Sequence, residues 1–294
     1  PTLNWKVFSA QAITTDCEVA YRTTGFKWKS DYSVTLSADE TKADVGGWVT
    51  IDNNSGKRYL DTKLKLIAGD VNIVRDQPQA MPMAAFARNE VMEDSAPSFS
   101  EKSFSDFHMY TLSETVSLED NSQKQVEFIP KVYGISVRKY NQITVSAGGY
   151  AQTNIKASNK IEISNTANNK LGMPMPKGTV RVFKEDSADG SLEFIGEDSI
   201  DHTPKDEKIT LGTGNAFDIT ATKRASNRRT FDNSGYRADL NLTIANHKNI
   251  EAEIVVEISN YRGDNVIFTW TTPDLNVEKV SASLYRISRI FAAN

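Results

Sequence analysis

One cysteine, Cys17, and three histidines, His108, His202 and His247, are the whole supply of the side chains most used to hold transition metals in this chain of 294 residues. A lone cysteine excludes an intrachain disulfide framework, so packing and hydrogen bonds alone must hold the fold. The histidines are scattered, with no i, i+4 pair and no cysteine beside any of them, which excludes a zinc site of usual composition. No serine stands in a Gly-x-Ser-x-Gly elbow, so nucleophilic catalysis lacks a candidate. No apolar run approaches the length of a membrane span. Positive charge is not in excess: the net charge is -4, and no long-range field draws the whole chain to nucleic acid or acidic lipid. The chain begins at Pro1 without a leader pattern and reads as a processed product or a piece of something longer.

What is present is one short phrase written three times: an alternating strand, a polar corner opening on asparagine, and a second alternating strand. The copies run Val49, Ile51, Asn53 to Leu64 and Leu66; Ile161, Ile163, Asn165 to Val180 and Val182; and Leu240, Leu242, Ile244, Asn246 to Ile254, Val256 and Ile258. Apolar side chains two apart with polar ones between place one row on a core and the other in water. This predicts an all-β fold of antiparallel, immunoglobulin- or fibronectin-like sandwich units without extensive helix. Length suggests two domains, 1–150 and 151–294, with a boundary in the soft stretch at Gly148-Gly149. Residues 76–105 break the pattern with Pro78, Pro82, Pro97 and a Met and Ala patch, and predict a mobile insert without sustained strand, with a short helix near Met83 to Met92 as the alternative.

Several clusters invite chemistry, and each has a plain structural reading. Glu185, Asp186 and Asp189, with Glu197, Asp198 and Asp201 nearby, offer the oxygen ligands calcium takes from loops. The EF-hand rhythm is absent, and Asp189-Gly190 by itself predicts a hairpin. Lys223, Arg224, Arg228 and Arg229 make the one basic cluster, expected on a solvated loop that could meet an anionic glycan or an acidic neighbour. Gly212-Thr213-Gly214 lacks the lysine and helix start of a phosphate cradle and reads as a hairpin turn. Cys17, in the strand-like Asp16 to Tyr21, reads as a small buried hydrophobe. His202 reads as a corner residue whose ring caps a turn. Trp5, Trp28, Trp48 and Trp270 lie in strand-like runs and are expected in cores more than on a sugar-binding face. Asn53-Asn54-Ser55 and Asn241-Leu242-Thr243 match the glycosylation acceptor, a pattern short enough to recur by chance. No residue is singled out as catalytic, cofactor-binding or metal-ligating, and no cofactor is expected.

The stretch Gly178 to Phe183, followed by Phe194 to Pro204 and Ala216-Phe217-Asp218-Ile219, resembles a bacterial family of unknown function that forms the C-terminal half of mucoidy-inhibitor-A-like proteins. Tyr21 with Thr24-Gly25, Trp28 and Asp31-Tyr32, then Lys63 to Asp70 and Phe107 to Leu112, agree with it. The resemblance implies an exported or envelope protein with no established catalytic activity. It also implies an N-terminal β domain and coiled coil ahead of this region, and one more strand after the position of Asn294; this sequence contains neither. A sandwich without its last strand presents an unpaired edge.

These readings converge on a non-enzymatic structural or interaction module of the bacterial cell envelope or extracellular space. It would assemble through sheet edges, beside Tyr285 to Ile290 or along Thr2 to Phe8, into a homo-oligomer or a filament, or with other envelope proteins, and would bind no nucleic acid. The alternatives are a calcium- or carbohydrate-dependent adhesive module and an envelope hydrolase built around His202.

Overall fold

Period-two alternation becomes strand after strand. In chain order the strands are β1 (Phe26–Leu36), β2 (Lys42–Asn53), β3 (Tyr59–Ala68), β4 (Phe99–Phe104), β5 (Phe107–Leu118), β6 (Ser122–Ser146) and β7 (Gln152–Ser164), followed by β8 (Gly178–Glu185), β9 (Leu192–Ile200), β10 (Lys208–Phe231), β11 (Gly235–Asn246), β12 (Ala252–Ser259), β13 (Val277–Ser281) and β14 (Leu284–Phe291). Among the described residues the one helical element is a single 3-10 turn, Ala167–Asn169. The computed structural model describes residues 6–69, 99–104, 107–148, 150–231, 235–260, 269, 271–272 and 274–294. The helix considered near Met83 to Met92, Trp5, Trp270 and most of the strand expected over Val266 to Trp270 lie outside those residues. So does most of the insert expected over 76–105, but its end does not behave as expected. Residues Phe99–Phe104 form β4, because they pair antiparallel with β5 and the Phe99 ring meets Phe128 edge-on at 5.6 Å.

The strands fall into three repeats. In each, a leading strand (β1, β6 or β10) folds back antiparallel on a second (β2, β7 or β11). A third strand (β3, β8 or β12) and a fourth (β5, β9 or β14) then pair as an antiparallel ribbon. Two devices stitch the repeats together. The leading strands β6 and β10 are 25 and 24 residues long, enough to pair first with the second strand of the preceding repeat and then with their own. The third strand of each later repeat also joins the leading strand of the repeat before it, β8 on β1 and β12 on β6, and these ladders are parallel. The all-β expectation therefore holds, with these two parallel pairings set among antiparallel ones. Among the described residues no leading strand lies along β3, and the ribbon β3-β5, extended by β4, stands as a separate three-stranded sheet.

An asparagine closes the second strand of every repeat. Asn53, Asn165 and Asn246 are all buried. The Asn53 amide donates to the carbonyls of Lys57, Leu118 and Glu119. Asn165 donates to Met173 and Pro204, and Asn246 to Ile250 and Ala292. Each amide thus ties its own corner to the chain just past the fourth strand, while its oxygen accepts a backbone N–H from the corner, at Ser55, Gly172 or Lys248.

Two cores result. One gathers Tyr32, Val34, Val49, Tyr110, Phe128, Ile163, Val182 and Leu211 among others; the second gathers Ile143, Val145, Ala157, Ile219, Ile254 and Val256. A division of the chain near residue 150 does not follow these cores: Val180, Ile200 and Ile209 bury in the first, and Ile143 and Val145 in the second. The large sheet also curls, so that β9 returns to β10, where Asp198 Oδ2 accepts the Gly212 N–H at 2.7 Å.

Candidate functional site

The sequence-selected residues scatter over the molecule, and four of them change character. Gly212-Thr213-Gly214 is not a hairpin turn; it lies within β10 at an irregularity between Gly212 and Asn215, since a bulge draws on the same residue types as a turn. The basic cluster is not on a loop but on β10. There Lys223 is buried and its ammonium donates to the carbonyls of Ser146 at 3.0 Å and Gly148 at 2.9 Å, while Arg224 and Arg229 are exposed. Cys17 is exposed and outside any strand, because no described strand lies along its segment. Tyr285 to Ile287, expected on a free edge, are paired on both sides by β12 and β13.

The histidines and the acidic turn offer no assembled chemistry, and of the tryptophans Trp28, half-buried, packs against the first core while Trp48, also half-buried, is in neither core. His202 Nδ1 accepts the Lys177 N–H at 3.3 Å, and the ring lines an open groove of about 520 Å³ with Trp28, Lys29, Asp201 and Ser199. His108 Nδ1 meets Glu101 across the β4–β5 ladder at 2.7 Å, and His247 is exposed on the corner after β11. Asp189-Gly190 makes the hairpin between β8 and β9. Its carboxylates turn to backbone: Asp186 accepts from Ala188 N–H and Asp189 from Ser191 N–H, and hydrogen bonding from Ser191 holds the Asp189 carboxyl below the usual carboxylate range. Among the described residues no group of three His, Cys, Asp or Glu side chains is arranged to hold a metal ion. No helix there is long and apolar enough to cross a membrane.

Charge is concentrated where repeats meet. Burial pushes the Glu40 carboxyl up, but Lys139 from β6 and Lys184 from β8, the latter at 3.1 Å, outweigh it and hold the group below the usual range. Arg138 of β6 grips Glu253 of β12, and the bond keeps the Glu253 carboxyl down and the guanidinium up. Within the third repeat, Arg286 of β14 reaches Glu257 of β12 at 3.0 Å. Two phenols are driven the other way. Burial pushes Tyr32 and Tyr110 above the ordinary tyrosine range, and their hydroxyls donate to Pro176 and Pro174 carbonyls in the first core.

The sheet rims are what the repeat leaves incomplete. β2 has a leading strand on each side, β1 and β6, and β7 likewise has β6 and β10. β11 has β10 on one side, and among the described residues no strand lies along the other. β8 and β12 have a leading strand in parallel; β3, their counterpart, has none among the described residues. Residues 6–25 form no strand and are exposed, Gly25 apart. Sequence reasoning found the three asparagine corners but not these rims, which depend on how far β6 and β10 run.

Compared with protein-family models, with curated proteins and with solved structures, the chain matches none.

Proposed function

We propose that the chain is a non-enzymatic structural or interaction module that works through its sheet rims. The observation that carries this reading is the pairing at the two ends of the repeat: among the described residues no strand lies along the outer edges of β11 and β3, whereas β2, β7, β8 and β12 each have a leading strand at the equivalent edge. An unpaired edge offers a row of backbone donors and acceptors that another strand can satisfy. The resemblance to the C-terminal half of mucoidy-inhibitor-A-like proteins supports placing the module in the bacterial envelope or extracellular space, with other copies or envelope proteins as partners.

Hydrogen exchange tests the reading. In native cell-envelope or secreted material, the outward amides of β11 and β3 should exchange at least tenfold more slowly than in the dilute purified chain. Equal rates in the two preparations would remove the rims as working surfaces.

A further inference from the structure

The repeat specifies what belongs on the β11 rim. β6 and β10 each bring an N-terminal half to the second strand of the preceding repeat before turning into their own; β1 is 11 residues long and has only the second half. The residues standing where its first half would be are 13–25. Their match to β6 is close. Phe26 pairs with Asn53, and the register Val137 to Ile163 sets Ile135 across from Asn165, so Phe26 and Ile135 are equivalent. Each follows a glycine with positive φ, Gly25 at 93° and Gly134 at 65°. Eight residues before those glycines stand Cys17 and Val126, and from there Cys17-Glu18-Val19-Ala20 answers Val126-Glu127-Phe128-Ile129. Val126, Phe128 and Ile129 are buried in the first core, whereas Val19 is 46% exposed, Tyr21 56% and Ile13 66%. The segment is held near its end by Asn54 N–H to the Gly25 carbonyl.

We infer that the β11 rim receives residues 13–25 of a second copy of this chain, antiparallel, in the register by which β6 meets β2. This rests on the proposal that the rims are the working surfaces, and it names their occupant. Val126 faces Val49, which stands four residues before Asn53; the same step back from Asn246 is Leu242, so Cys17 of one copy faces Leu242 of the other. The same docking lays the end of β10, past its last pairing with β7 at Lys223, along β3 of the second copy, as β1 lies along β8 and β6 along β12. Both open rims are thereby filled by one contact, and because the two surfaces differ, the contact is head-to-tail and repeats.

Cys17 is the chain's one cysteine, so a second placed at the facing position reports the register directly. On mild oxidation Leu242→Cys should give a ladder of dimers, trimers and longer species on a non-reducing gel, most of the protein being joined. Thr243→Cys, one residue out of register, should give less than a tenth as much. The unaltered chain should show a weight-average mass in sedimentation that rises with concentration, and a peptide of residues 11–25 should return it to monomer. A mass fixed at the monomer across the concentration series overturns the inference, as does a Leu242→Cys disulfide confined to monomers, which would mean that the rim is filled from within one chain. Either failure, with slowed rim exchange still seen in native material, would leave the rims working with a different occupant.

Discussion

An asparagine can end a strand and bind two stretches of backbone at once, because its amide carries two donors and an acceptor on a short, stiff stem. At Asn165, fully buried, the donors go to Met173 and Pro204 and the oxygen takes the Gly172 N–H. Alanine there would take the partner from three backbone groups in part-buried hydrogen bonds. Asn165→Ala should therefore lower the unfolding free energy by about 2–4 kcal/mol in urea titration. Asn165→Asp should do no better at neutral pH, since a carboxylate keeps the acceptor and loses both donors; an aspartate as stable as the parent would show that the amide's donors contribute nothing. Gly47 is constrained by space. A Cβ built there would lie 2.9 Å from the Tyr32 ring, which is buried and held by its hydroxyl on Pro176. Gly47→Ala should cost about 1–3 kcal/mol by overpacking, and Tyr32→Leu in the same chain should recover part of it in a double-mutant cycle.

At the scale of elements, the turn between β1 and β2 is clamped by charge. Glu40 accepts from Lys139 of β6 and Lys184 of β8, so one carboxylate ties this turn to two strands. Its folded-state pKa lies below the ordinary value, so the unfolded chain binds the proton first. The stability it contributes is present above the ordinary glutamate range and is lost as pH falls through the folded value. Glu40→Gln should destabilise at pH 7, and the difference from the parent should shrink as pH falls below about 4, read from urea midpoints at each pH; a difference constant with pH would assign the effect to packing. Much at this scale is legible in the sequence. The alternation of Val49, Ile51 and Ile161, Ile163 shows the strands, and the asparagine after each run marks its end. What escapes is strand length and company. Gly134 and Gly214 punctuate β6 and β10 as a turn would, yet both strands run on through them, because neighbours on either side supply the ladder. Lys223 reads as a surface charge until Ser146 and Gly148 are brought against it, and Cys17 reads as buried although the strand that would cover it is not in its own repeat.

In the whole molecule, the long strands make the repeats interdependent. β6 supplies Phe128 and Ile135 to the first core and Ile143 and Val145 to the second, while β10 supplies Ile209 and Leu211 to the first and Ile219 and Ala221 to the second. Neither core can come apart without pulling on a strand that the other needs. Residues 1–150 alone would keep β1 to β6 but would lose Ile161, Ile163, Val180, Val182, Ile200, Ile209 and Leu211 from the first core. At about 1.5–3 kcal/mol for burying each such side chain, the loss is as large as the net stability of an ordinary domain, about 5–15 kcal/mol. The fragment 1–150 should therefore lack dispersed amide resonances in solution, and the full chain should unfold in urea as one transition, with tryptophan fluorescence and far-UV circular dichroism sharing a midpoint. A fragment that folds on its own, together with two separated transitions in the full chain, would mean that β6 and β10 run between the cores without coupling them.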